Sequence, residues 1–264
     1  MKKILILTTI IVIHLNSFSQ RTELVKEWVM MDTLFISQVS DAYKISTSEL
    51  FKTLEVNNNR IKDLGFGYIL KSGSNGKGYM SFDYKILSYK NEVVAYELSS
   101  TIPNRKKKIR KLYKEKLSEI FEIDDKDKVK PIEFGFENAT SSMDELKVQL
   151  DTTLNKIMNP FIGIVFGNRC GYGMSVLKNR EIFDEIINPI NCEYLLFSKN
   201  PATRIMAIEY FYCHLSDFNS VQKSEIETRI EEIKKYSTRI STCGGCIVGQ
   251  EKTTELISRI KNCK

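Results

Sequence analysis

Apolar residues recur at two different periods along this chain. Met80, Phe82, Tyr84 and Ile86 alternate with Ser81, Asp83 and Lys85, a period of two that predicts a half-buried strand. Val94, Tyr96 and Leu98 repeat the pattern after a tight turn at Lys90-Asn91. Residues 66–70 and the trio Ile132, Phe134 and Phe136 predict two further strands. Elsewhere the period is three to four. Leu24, Trp28 and Met31 fit a short helix over 22–31, and Leu50, Phe51 and Leu54 a second one. Ser46 or Thr47 would cap the second, and Asn57, Asn58 and Asn59 would end it. Ile109, Leu112, Tyr113, Leu117, Ile120 and Phe121 make one apolar stripe on a helix over 104–122. Ser142 with Glu145 forms a capping box for a helix carrying Leu146, Leu150, Leu154 and Ile157 as far as Asn159-Pro160. Residues 20–158 are thus expected to form an α+β module built on an antiparallel meander sheet.

The pattern changes over residues 159–176, where Gly163, Gly167, Gly171 and Gly173 interrupt a short apolar run. This stretch reads as a glycine-rich junction, and residues 177–264 as a small all-α module of short helices. Ile182, Phe183, Ile186 and Ile187 pattern a helix stopped by Asn188-Pro189. Residues 194–197 give a compact second. Asn200 caps a third with Pro201 in its first turn, and Ser224 with Glu227 boxes a fourth; residues 253–260 make a fifth. The run SKNPATRIMAIEYFYC, residues 198–213, resembles one unit of HEAT-type helical repeats, in which an Asn-Pro cap opens a helix with an early arginine and alanine. More loosely, residues 170–246 are similar to uncharacterised exported proteins of Gram-negative bacteria. The resemblance implies a helical unit in an exported protein and carries over no activity and no functional residue.

Charge and composition add a location. Lys2 and Lys3 precede an apolar run over 4–13, and Ser17-Phe18-Ser19 supplies the small residues of a cleavage site, which is the layout of a secretory signal peptide over residues 1–19. The run is shorter than the roughly 20 residues needed to cross a bilayer, and no later stretch approaches that length. No cysteine follows the cleavage site to take a lipid. Starting from 39 basic and 33 acidic residues, cleavage removes Lys2 and Lys3 and leaves a net charge of +4, too small to imply a nucleic-acid partner. A periplasmic or extracellular protein is expected.

Export sets the reading of the six cysteines, which all lie from Cys170 onward. An even number in an oxidising compartment predicts three disulfides. Helices of alternating direction put Cys192, Cys213 and Cys263 at one end and Cys243 and Cys246 at the other. A helix of about 12 residues is about 18 Å long, whereas a bridge needs Cα atoms within about 7 Å. End-to-end pairs are thereby excluded and Cys243 is most easily bonded to Cys246; Cys213–Cys263 and Cys170–Cys192 would take up the rest, although the junction could bring Cys170 to either end. The Cys-Gly-Gly-Cys run also offers an alternative, a thiol-disulfide oxidoreductase using Cys243 and Cys246. Against it, residues 236–242 are mostly polar and the next helix starts several residues later. Zinc would need two more ligands from distant single cysteines, so no metal or other cofactor is expected. His214 follows Cys213 directly, and adjacent helical residues diverge by about 100°, which is unsuited to a nucleophile–base pair. The loop over 72–78, SGSNGKG, lacks Walker spacing and reads as a hairpin loop.

One segment remains with a possible ligand. The helix over 104–122 opens with Arg105, Lys106, Lys107, Lys108, Arg110 and Lys111 and closes near Glu119 and Glu122. This order opposes the helix dipole, at ~0.3–1 kcal/mol per charge. The same order builds an anion-binding face, because free N–H groups and cationic side chains point together. Arg105, Lys106, Lys107, Lys108 and Lys111 are the candidate binding residues. The partner expected is an anionic envelope polymer, a lipid headgroup or an acidic protein, bound without catalysis by an exported binding or assembly protein.

Overall fold

The computed structural model describes residues 2–55, 60–143 and 151–262, with side chains from residue 23 on. They cluster into two compact units, one of residues 1–59, 72–84 and 98–132, the other of 60–71, 85–97 and 133–264. Helices and antiparallel sheets make the protein α+β, in line with the two apolar periods.

Helix α1 (Lys2–Ile45) is followed by α2 (Thr47–Leu54), and Ser46 caps α2 by accepting from the Glu49 N–H at 3.2 Å. The triple asparagine lies outside the described residues. Five strands follow: β1 (Arg60–Gly65), β2 (Tyr68–Gly76), β3 (Ser81–Tyr89), β4 (Glu92–Ser100) and β5 (Ile132–Phe134). They form one sheet in the order β1-β2-β3-β4-β5, a meander with one strand more than the alternation predicts. The turn between β3 and β4 is at Lys90-Asn91, both with positive φ, as a two-residue hairpin loop requires. Residues 72–76, expected in a loop, extend β2 instead.

In the first unit, Phe35, Ile36 and Val39 of α1 are buried with Phe82 and with Tyr113 and Leu117 of α3 (Lys107–Leu117). Phe82 has Phe35 at 5.6 Å and Phe121 at 6.1 Å between ring centroids. Helix α3 is shorter than 104–122, yet Ile120 and Phe121 still turn inward beyond its end.

The second unit continues with α4 (Phe136–Thr140), α5 (Thr152–Met158), a 3₁₀ turn (Pro160–Ile162), and the two-residue strands β6 (Val165–Phe166), β7 (Arg169–Cys170) and β8 (Ser175–Val176). Then come α6 (Lys178–Ile186), α7 (Pro189–Leu195), α8 (Pro201–Cys213), α9 (Ser220–Tyr236), β9 (Arg239–Gly244), β10 (Ile247–Lys252) and α10 (Thr253–Ile260). Helix α8 is the centre of this core, with Ala202, Ile205, Met206, Ala207, Ile208 and Phe211 all fully buried. Asn200 caps it, accepting from the Ala202 N–H at 3.0 Å, and its amide donates to Gly163 O at 2.7 Å. The chain therefore does not divide at residues 159–176. That stretch lies wholly inside the second unit, tied to the cap of its central helix.

Four expectations are corrected here. The C-terminal half is not all-α: β9 and β10 pair antiparallel, and β6 adds to β9 in parallel. Alternation over 239–252 is too weak to announce these strands, since only Ile240 and Cys243 of β9 are buried. The helix over 142–158 starts instead at Thr152, where the Asp151 side chain accepts from the Thr153 and Leu154 N–H groups; residues 144–150 lie outside the described residues. The capping box of α9 is Asn219 with Gln222, one turn before the Ser224 and Glu227 pair.

The fourth correction concerns sulfur. Cys243 is bonded to Cys170, Cα atoms 5.6 Å apart, and not to Cys246. Cys246 is a free, exposed thiol, and Cys192, expected with Cys170, is a free buried one. Helices alone do not set the geometry of these cysteines. The parallel run of β6 along β9 brings Cys170 beside Cys243. Cys213 is disulfide-bonded, and Cys263, its expected partner, lies outside the described residues.

Candidate functional site

The N-terminus of α3 has the reversed electrostatics that its sequence implies. Lys106 stands at the N-cap and makes no side-chain capping bond, and the first turn holds no acidic residue. The first N–H groups are left to solvent or a ligand. Arg105, Lys107, Arg110, Lys111 and Lys114 line an open hollow of about 520 Å³ whose one acidic wall residue is Asp127. Lys114 Nζ donates to Asp127 Oδ1 at 2.8 Å, and the Arg110 guanidinium donates to Oδ2. The Lys114 hydrogen bond, with Arg110 beside it, holds the Asp127 carboxyl below its usual range. One carboxylate thus answers two of five cations.

The rim is built on a buried carboxylate. Asp32 of α1 is fully buried, and its Oδ2 accepts from the Tyr79 N–H and from the Tyr113 hydroxyl, both at 2.6 Å. Burial, then the Asp32 bond, pushes the Tyr113 phenol far above its usual range. Tyr79, held in this way, carries Arg105 over its ring at 3.5 Å and meets Trp28 edge-on at 5.0 Å. A stacked guanidinium keeps its donors directed outward.

Of the five predicted residues, Arg105, Lys107 and Lys111 share the hollow, while Lys106 and Lys108 are exposed outside its lining. Arg110, Lys114 and Asp127 complete it. The spacing of Arg110 and Lys114, four apart on one helical face, could have pointed to a shared acidic partner. Nothing local to the sequence marks which of the nearby aspartates serves. The lining contains no thiol or histidine, its one carboxylate is paired, and its net positive charge suits it to hold an anion.

A larger open groove of about 830 Å³ lies in the second unit. Its walls carry Lys85, Lys156 and Lys178 against Glu97, Glu133 and Glu137, with Lys85 Nζ 2.9 Å from Glu97. Its charges balance, so it selects no sign of ligand.

His214 ends α8 exposed, its ring stacked on Tyr210 at 4.2 Å and Nδ1 2.9 Å from Tyr210 O. The Cys192 thiol donates to Ala207 O at 3.3 Å, and burial pushes its pKa up to about 12, which leaves it inert. Among the described residues no group of side chains is arranged to hold a metal ion, and no helix is long and apolar enough to cross a membrane. No protein-family model, curated protein or solved structure matches this chain.

Proposed function

We propose that the protein is an exported, non-enzymatic binding or assembly protein of the cell envelope that docks on an anionic partner through the face made by Arg105, Lys106, Lys107, Lys108 and Lys111. The observation that carries this reading is the hollow beside α3, where five cations meet a single carboxylate that is already paired with two of them. A helix opening without an acidic residue or a side-chain cap sacrifices some stability, and a ligand anion supplies what is missing. Polymer phosphate or carboxylate, lipid headgroup and acidic protein share the chemistry that this face recognises.

The test uses heparin-agarose and vesicles containing phosphatidylglycerol. The wild-type protein should be retained on both and released by salt, since exposed charges are screened within about 8–10 Å at physiological ionic strength. A variant with Arg105, Lys106, Lys107, Lys108 and Lys111 all changed to Gln should pass through both supports. Unchanged retention ends the proposal. Export is tested separately, by sequencing the amino terminus of protein recovered outside the cytoplasm; residue 20 is expected first.

A further inference from the structure

The turn between β9 and β10 consists of Gly245 and Cys246, between the paired residues Gly244 and Ile247. Cys243, the last buried residue of β9, is bonded to Cys170. The segment bearing Cys170 runs along the same turn. The Gly171 N–H donates to Gly245 O at 2.7 Å, and the Gly245 N–H donates to Arg169 O at 3.3 Å. Cys170 is therefore paired in parallel with Gly245, the residue next to Cys246. Three of the six cysteines meet at one turn, and one of them is a free exposed thiol.

Distances favour exchange among them. Paired strand residues lie about 4.8 Å apart and consecutive Cα atoms 3.8 Å, which puts the Cα atoms of Cys170 and Cys246 roughly 6–9 Å apart. A disulfide needs about 4.4–6.8 Å. A small movement of the turn closes that gap, and little obstructs it: a Cβ added at Gly244 would meet nothing within 4 Å. Burial selects the sulfur to be attacked. Cys243 is 5% exposed, whereas Cys170 is only half-buried.

We propose that Cys246 exchanges into the Cys170–Cys243 bond. The Cys246 thiolate attacks Cys170 Sγ and a Cys170–Cys246 bond forms. The Cys170–Cys243 bond breaks, and Cys243 leaves as a thiolate that takes a proton from water. One disulfide and one thiol stand on each side of the step, so no oxidant or reductant enters. Tyr172, Met174, Ile247 and Val248, all exposed on the two segments that meet here, are presented differently in the two bonded forms. The device is a disulfide switch under an apolar tip.

The test takes the native chain, incubates it at pH 8.5 without reductant, quenches it in acid, and alkylates free thiols with a maleimide in acidic denaturant. Peptide mapping then locates the label, with Cys192 as a constant reference. Label at Cys243 should increase several-fold over the zero-time sample and be absent in Cys246→Ser. Label confined to Cys246 and Cys192 at all times overturns the proposal, and so does label at Cys170, which would mean that the other sulfur is attacked. A second variant, Cys243→Ser, removes the resting bond. Checked for folding by circular dichroism and incubated with oxidised glutathione as the oxidant, it should form a Cys170–Cys246 bond; free or singly glutathionylated thiols at both positions in the folded variant also overturn the proposal.

Discussion

Replacing Arg204 by lysine should destabilise the second unit more than replacing it by methionine, although lysine keeps the charge. Arg204 is fully buried on α8 and donates to three oxygen acceptors, Ser198 O at 3.2 Å, Ser237 Oγ at 3.4 Å and Leu64 O, with the weakly accepting Met143 sulfur also 3.1 Å from Nη1. Its guanidinium and that of Arg229 lie 5.2 and 4.8 Å from the centre of the Phe66 ring. Phe66 itself is held at positive φ, its N–H bonded to Tyr236 O at 3.2 Å, and a Cβ at Gly65 would come within 2.8 Å of that same oxygen. A lysine at 204 still buries a charge, and a more strongly hydrated one, but it meets about one acceptor where the fork meets three. Two lost charge-assisted bonds at ~1.5–3 kcal/mol each predict a loss of about 3–6 kcal/mol. Methionine strands all three acceptors but sheds the buried charge. Burial, with Arg229 nearby, brings the Arg204 pKa down to about 9 from 12.5, which corresponds to about 5 kcal/mol against the charge. The order of stability should be arginine, methionine, lysine. Urea unfolding followed by far-ultraviolet circular dichroism, with hydrogen exchange of α8 amides, measures it. A lysine variant within about 1 kcal/mol of wild type, or more stable than the methionine variant, refutes the reasoning.

Three further outcomes are expected. Lys199 is buried and donates to Ser141 Oγ at 2.7 Å and to Asn138 O, and burial lowers its pKa to about 8 from 10.5. The unfolded chain then binds more protons than the folded one between those values, so stability rises with pH from about 8 to 10.5, by up to about 3 kcal/mol. Lys199→Met should abolish that rise in urea unfolding measured across the alkaline range. Asp127→Ala frees Arg110 and Lys114, and the variant should need more salt than wild type for elution from heparin. Asp32→Ala leaves the Tyr113 hydroxyl and the Tyr79 N–H without their acceptor in a buried site, at about 2–5 kcal/mol. The fluorescence of Trp28, the one tryptophan and a neighbour of Tyr79, should report unfolding at correspondingly lower urea.

Legibility in the sequence followed the strength of the local signal. Strands β3 and β4 and their turn are readable because Phe82, Tyr84 and Ile86 alternate cleanly and Asn91 tolerates positive φ. Asn200-Pro201 announces α8, and the arginine that follows is the buried fork on which the β1–β2 turn rests, a role that the helical pattern does not reveal. The β9–β10 hairpin is hidden because most of its residues face solvent. The cysteine pairing depends on that hairpin and is hidden with it, since a parallel neighbour about 70 residues earlier in the chain leaves no periodic trace. At the α3 face the cations are plain in the sequence. Asp127 and Asp32, which shape the hollow and its rim, act across long sequence separations and become visible only once the chain is folded.

The bond between Cys170 and Cys243 spans 73 positions and makes a covalent ring that encloses α6, α7, α8 and α9. Closing a ring of that size removes about 4 kcal/mol of freedom from the unfolded chain in the entropic account. A protease that cuts once anywhere inside it cannot release a fragment: both pieces migrate together until the sulfurs are reduced. Passing the bond from Cys243 to Cys246 enlarges the ring slightly and never opens it, so the helical core stays threaded on one closed loop whichever sulfur holds the end.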